Sequence, residues 1–172
     1  MVKIYVDFDG VILDTWNVIF KEYIKLYNTD ILEEDKLKSL MLNIGWGNIL
    51  LNSRQINDSI KKIKDISKVY EVYILTKINS QKEKNAKKEY LLKYNINNFY
   101  FVPYEHSKTQ YVNAENNILI DDDINNLDDW NLHGGKSIFF NKDLSDYDSY
   151  GNKNNNYTII DDLLKIYDIM ES

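Results

Sequence analysis

Apolar positions fall into two kinds of pattern along the chain: short unbroken runs, and longer stretches spaced for one face of a helix. Residues 2–6 are of the first kind and stop at Asp7, which predicts a buried strand delivering an acidic turn. Trp16, Ile19, Phe20, Tyr23, Ile24 and Tyr27 then recur at helical spacing. A second helix is expected over 33–43, a break at Gly45-Trp46-Gly47, and a third helix over 53–66 with Ile56, Ile60 and Ile63 on one face. Residues 16–66 therefore read as a helical block with no strand pattern.

Strand character returns at 69–75 and stops at Thr76. Ser80 and Glu83 form a capping box for a helix reaching Tyr94. Residues 99–102 form a short strand ended by Pro103, the only proline. Another strand, 117–120, stops at Asp121-Asp122-Asp123, with a helix over 124–131 and a strand over 136–140 to follow. Residues 141–157, rich in Asn, Asp and Tyr, read as a long surface loop. Thr158 is expected to cap a last helix with Ile160, Leu163, Leu164 and Tyr167 inward.

Alternating strands and helices predict an α/β fold: a Rossmann-like open parallel sheet flanked by helices, with a small helical cap inserted after the first strand. Residues 1–15 and 67–172 form the core in this reading, and 16–66 the cap. The cap would lie over the carboxyl ends of the strands, the edge where such sheets bind ligands.

Composition narrows the function classes. A chain of 172 residues suits one domain with an insertion. Its formal charge of −6 disfavours nucleic acid polymers and anionic membrane surfaces, both of which are bound mainly through cations. Cysteine is absent, which removes disulfides, thiol nucleophiles and Cys-ligated zinc, and two histidines cannot make a His-rich metal site. No apolar run is long enough to span a membrane, and the first ten residues are interrupted by Asp7 and Asp9, unlike a signal sequence. The expected location is cytoplasmic, as a monomer or homodimer.

Three predicted strands end in reactive residues: Asp7 and Asp9, Thr76, and Asp121 with Asp122. Four carboxylates meeting at one edge repel one another unless a cation sits between them, and oxygen-only ligands suit Mg²⁺. A Thr and a Lys at the same edge would suit a phosphoryl group.

These residues resemble a known superfamily. Asp7-Phe8-Asp9-Gly10-Val11-Ile12-Leu13-Asp14-Thr15 is similar to motif I of the haloacid dehalogenase (HAD) phosphohydrolases. Thr76 after Val72-Tyr73-Ile74-Leu75 resembles motif II, Lys108 motif III, and Asn117-Ile118-Leu119-Ile120-Asp121-Asp122 motif IV. The resemblance implies that Asp7 is a nucleophile forming an aspartyl-phosphate. Asp9 would protonate the leaving alcohol and later deprotonate water. Mg²⁺ would be held by Asp7, the Asp9 main-chain carbonyl and Asp121, with Asp122 assisting. Thr76 and Lys108 would hold phosphate oxygens. Lys77 departs from the pattern, where a small residue is usual; its long cation could crowd the phosphate or add a second positive charge for it.

Within the superfamily, Asp14, the segment Tyr70 to Thr76 and the cap of about 50 residues resemble the 5′(3′)-deoxyribonucleotidases. This implies a small-molecule phosphate ester as substrate, with a nucleoside monophosphate first and a sugar phosphate as the alternative. Trp16, Tyr23 and Trp46 could stack on a base, Trp46 foremost, although aromatics at helical spacing are usually core. Arg54 could clasp an anionic edge, or simply be solvated. Lys82, Lys84, Lys87 and Lys88 compete with Lys108 as the active-site amine, and Asp123 reads as a helix-start acid. Asp143, Asp146 and Asp148 lack the spacing of a calcium loop, and His106 and His133 read as loop and turn residues. A signalling receiver domain also sets Asp, Thr and Lys around Mg²⁺, but its acidic pair comes early and its Lys last. A non-catalytic binding protein on the same fold is the remaining rival.

Overall fold

A computed structural model describes residues 2–143 and 157–171. Six strands form one parallel sheet: β1 (Lys3–Val6), β2 (Glu71–Ile78), β3 (Phe99–Pro103), β4 (Ile118–Asp121), β5 (Lys136–Phe140) and β6 (Thr158–Ile160). Their order is β3-β2-β1-β4-β5-β6, all pairs parallel. Central strands buried on both faces should read as unbroken apolar runs, and β4 (Ile-Leu-Ile-Asp) is buried at every position. The chain leaves β1 toward β2 and β3 on one side and returns to β4 on the other. The carboxyl ends of β1 and β4 therefore flank the point where the sheet order reverses, the place such sheets form a ligand crevice.

Between β1 and β2 lie four helices: α1 (Thr15–Tyr27), α2 (Glu34–Asn43), α3 (Trp46–Asn52) and α4 (Ser59–Ile66). Trp46 and Gly47 are thus not a break; the turn is at Ile44-Gly45, and Trp46 opens α3. The helix expected from 53 begins only at Ser59. Residues 53–58 instead tie back to the turn after β1, with Ile56 N–H on Ile12 O (3.0 Å) and Asp14 N–H on Arg54 O (3.0 Å). One buried cluster runs from Ile4, Val6 and Ile74 in the sheet into Ile19, Tyr23, Trp46 and Ile49.

The remaining helices are α5 (Gln81–Lys93), α6 (Ile124–Leu132) and α7 (Ile166–Glu171), with 3-10 turns at Lys108–Gln110 and Leu163–Lys165. Ser80 accepts the Glu83 N–H at 3.2 Å, and the Glu83 carboxylate accepts Asn79 N–H at 2.7 Å, one residue before the capping box places it. Asp123 caps α6 by accepting the Asn125 N–H. Thr158 caps no helix: residues 158–160 pair with β5 as β6, and Asp162 caps the following turn. A three-residue strand falls below the length at which periodicity separates strand from helix. Most of the loop expected over 141–157, with Asp146 and Asp148, lies outside the described residues.

No α-helix connects β3 to β4. The sheet face beneath them shows Tyr5, Tyr73 and Tyr100, whose rings stack in sequence at 5.5 Å (Tyr5–Tyr73 and Tyr73–Tyr100).

Candidate active site

Asp7 follows β1, with its N–H on Ile120 O at 2.9 Å, which fixes the chain where β1 and β4 run side by side. A tight turn follows, in which Gly10 N–H bonds to Leu13 O (2.8 Å) and Ile12 N–H to Phe8 O (2.9 Å). Gly10 is required twice over. Its φ is +74°, and a Cβ there would lie 1.9 Å from Asp122 Oδ2. The missing side chain is what lets the Asp122 carboxylate close on the turn.

Lys108, on the 3-10 turn after β3, donates to Asp7 Oδ1 at 2.7 Å and to Asp121 Oδ2 at 2.6 Å. Asp121, at the end of β4, also accepts Asp123 N–H at 2.9 Å and Asn126 Nδ2 at 3.1 Å. Carboxylate oxygens of Asp7, Asp121 and Asp122 all lie within 4.8 Å of one another. Asp122 accepts no hydrogen bond among the described residues. Burial pushes Asp7 up to about 7, against the pull of Lys108 and with the help of Asp121 and Asp9. Burial, with Asp121 and Asp7 adding to it, holds Asp122 well above the usual carboxylate range. Lys108 is raised in turn: the Asp121 and Asp7 charges overcome the burial that opposes its ammonium.

Three carboxylates share one ammonium here, and one of the three has no donor. An oxygen-only donor set with that surplus fits a hard divalent cation, and Asp7, Asp121 and Asp122 are the side chains that would hold it.

Asp9 faces the other way. Its Oδ1 accepts the Thr15 hydroxyl at 2.7 Å, and its Oδ2 accepts Lys87 Nζ at 2.5 Å. Lys87, on α5, is wholly buried and also pairs with Glu83 at 2.7 Å. Helical spacing alone left Lys87 as one of several lysines. The signal that could have separated it is its position four residues after Glu83, on the α5 face that carries Leu91.

These groups border a cleft of about 680 Å³, lined by Asp7, Asp9, Lys108 and Asp122 on one side and by Trp16, Ile19 and Met41 of the helical block on the other. Lys77 and Tyr104 stand at its wall, the Lys77 ammonium 5.8 Å from the Tyr104 ring. Lys77 has no carboxylate partner among the described residues. Thr76 does not border the cleft. Strand β2 continues past it to Ile78, and its hydroxyl is buried, donating to Lys77 O (3.3 Å) and accepting from Lys87 (3.1 Å). The structure thus sets the Thr76 hydroxyl beside Lys87 rather than in the lining of the cleft.

Trp46 takes the core position that its helical spacing also allowed. It is 2% exposed, and its indole N–H donates to Met41 O at 3.1 Å, so it offers no stacking face; Trp16, 45% exposed, does. Arg54 is exposed and absent from the cleft lining.

No protein-family model matches the sequence, and no curated protein is significantly similar to it. Solved structures are similar over the whole chain. A Bacillus subtilis protein described as a HAD-hydrolase, bound to magnesium, aligns with a TM-score of 0.65 at 14% identity, covering 99% of each chain. A haloacid dehalogenase-like hydrolase from Streptococcus pneumoniae gives 0.62 at 13%, covering 99% of this chain and 98% of that one. The fold is HAD-like. A D,D-heptose 1,7-bisphosphate phosphatase from Burkholderia thailandensis shares this HAD-like fold as well, with a TM-score of 0.61 at 12% identity and complete coverage of both chains. No helix of the described residues is long and apolar enough to cross a membrane.

Proposed function

We propose that this protein is a Mg²⁺-dependent phosphatase for a small phosphomonoester, acting through an aspartyl-phosphate on Asp7. The observation that carries the reading is the Asp7–Lys108–Asp121 cluster with the unpartnered Asp122 beside it, at the edge of a cleft of the HAD-like fold.

Lys108 holds Asp7 Oδ1, so Oδ2 is the oxygen left to attack phosphorus. The P–O ester bond breaks, and the leaving oxygen takes a proton from Asp9. Water then attacks the phosphoaspartate, giving its proton back to Asp9 as the bond to Asp7 breaks. Lys108 offsets negative charge on the phosphoryl oxygens. Bound Mg²⁺ would supply charge neutralisation between the phosphoryl oxygens and the three aspartates. Lys77, the unpaired ammonium of the cleft wall, supplies a positive charge toward the bound anion.

Helices α1 to α3 act as a small cap. The half-exposed Trp16 with Ile19 and Met41 offers an apolar wall, which favours a leaving group that carries a planar base, the nucleoside of a nucleoside monophosphate, over a sugar. The test is phosphate release from nucleoside monophosphates and sugar phosphates, with Mg²⁺ or EDTA, for wild type and Asp7→Asn. Metal-dependent turnover abolished in the variant is expected. Folded protein with no turnover on any ester would shift the reading to a non-catalytic phosphate-binding protein.

A further inference from the structure

Lys87 is the one buried cation of the described residues whose place the proposed reaction does not require. Removing an ammonium from water costs several kcal/mol unless partners repay it, and Glu83, one turn away, already provides a complete partner at 2.7 Å. Glu83 is itself fixed by Asn79, through N–H at 2.7 Å and Nδ2 at 3.1 Å. Lys77 O, at 3.0 Å, holds the ammonium from the strand side. Its direction is therefore set without Asp9, yet its shortest contact, 2.5 Å, is to Asp9 Oδ2. The rings of Phe8 and Trp46, 5.4 and 5.5 Å away, cover the ammonium while accepting no conventional hydrogen bond from it.

We propose that Lys87 is a positioning residue that anchors Asp9 by Oδ2 and so leaves Oδ1 as the oxygen that exchanges protons with substrate. This rests on the phosphatase reading above. The asymmetry of the donors carries it. Oδ2 meets an ammonium, which can only donate. Oδ1 meets the Thr15 hydroxyl at 2.7 Å, which can rotate to accept a proton from Asp9 as readily as it donates one. A proton placed on Oδ2 would face another donor, whereas one placed on Oδ1 has an acceptor waiting. In the reaction, Oδ1–H gives its proton to the leaving alkoxide as the ester P–O bond breaks, and water returns one to Oδ1 as the phosphoaspartate is cleaved.

The experiment compares an ester that needs a protonated leaving group with one that does not. Turnover of a nucleoside 5′-monophosphate and of 4-nitrophenyl phosphate is measured with Mg²⁺ for wild type, Lys87→Met, Glu83→Gln and Asp9→Asn. General acid assistance contributes about 10²–10⁴-fold. Lys87→Met should therefore lose at least about tenfold more kcat on the alkyl ester than on the aryl ester, and Asp9→Asn should show the same bias. Added to Asp9→Asn, Lys87→Met should cost little further on the alkyl ester, because both act through one group. Glu83→Gln loosens the anchor without stranding a buried ammonium and should show the bias in weaker form, so a poorly folding Lys87→Met still leaves a decisive variant. Equal losses on both esters in Lys87→Met and Glu83→Gln would overturn the inference and leave the phosphatase reading standing. A wild type that releases phosphate from neither ester would overturn both.

Discussion

Two buried lysines each bridge two carboxylates in this molecule, and the surroundings of the two bridges differ. Lys108 joins Asp7 and Asp121 beside a third acid, Asp122, to which no described residue donates. Lys87 joins Asp9 and Glu83, and there the remaining oxygens are met by the Thr15 hydroxyl and by Asn79. Aromatic rings cover the Lys87 ammonium, while its partners Asp9 and Glu83 line the same cleft as Asp7 and Lys108. Burial and ion pairing are common to both. What separates them is negative charge left without a donor, which among the described residues only the Lys108 cluster of the two keeps, at Asp122.

The largest break in that comparison is expected from Asp7→Asn, which should lower phosphate release at least about 10³-fold by removing the nucleophile. Next come the lysines. Breaking a buried pair from one side costs about 3–5 kcal/mol, so Lys108→Met and Lys87→Met should both lower stability in urea unfolding. The two should separate when Mg²⁺ is added: the Lys108→Met loss should shrink, because the metal replaces the missing cation, and the Lys87→Met loss should not. Equal responses to Mg²⁺ would remove the distinction between the clusters.

A pH series sharpens the same point. Asp7 is raised to about 7 in the folded protein, chiefly by burial. The folded state therefore binds that proton more tightly than the unfolded chain, whose Asp titrates near 3.8. The stabilisation is complete below the unfolded value and is lost as pH rises toward 7. In EDTA, the melting temperature of wild type relative to Asp7→Asn should fall across that window. Mg²⁺, which favours the ionised carboxylate, should flatten the slope. The smallest expected effect is at Arg54: Arg54→Ala should leave kcat/KM within about twofold, as an exposed side chain away from the cleft. By contrast, Trp16→Ala should raise KM about tenfold, a loss in the range of one aromatic contact.

The sheet and the acids at its edge were legible in the sequence because each rests on a local pattern. Residues 136–140 read as a strand with the observed limits, and Asp7, Asp121 and Asp122 fell where apolar runs stop. What escaped depends on contacts between distant residues. Thr76 reads as a strand's last residue, but pairing with β3 carries β2 on to Ile78 and turns the hydroxyl toward Lys87. Trp16 and Trp46 have the same composition signal. Only the packing of α3 against α5 decides that one is core and the other lines the cleft. Lys87 could not be told from Lys82, Lys84 and Lys88 for the same reason.

The register of β1 sets a timetable for the newly made chain. Lys3 pairs with Glu71 and Ile4 with Ile118, so the strand carrying Asp7 gains its first sheet neighbour some 70 residues later and its second after another 47. Synthesis at about 5–20 residues per second leaves Asp7, Asp9 and the apolar turn that follows without a sheet for several seconds. The Asp7–Lys108–Asp121 cluster cannot exist in any half-made chain. The partners of Lys87 are all present once residue 87 has been added, whereas those of Lys108 wait for residue 121.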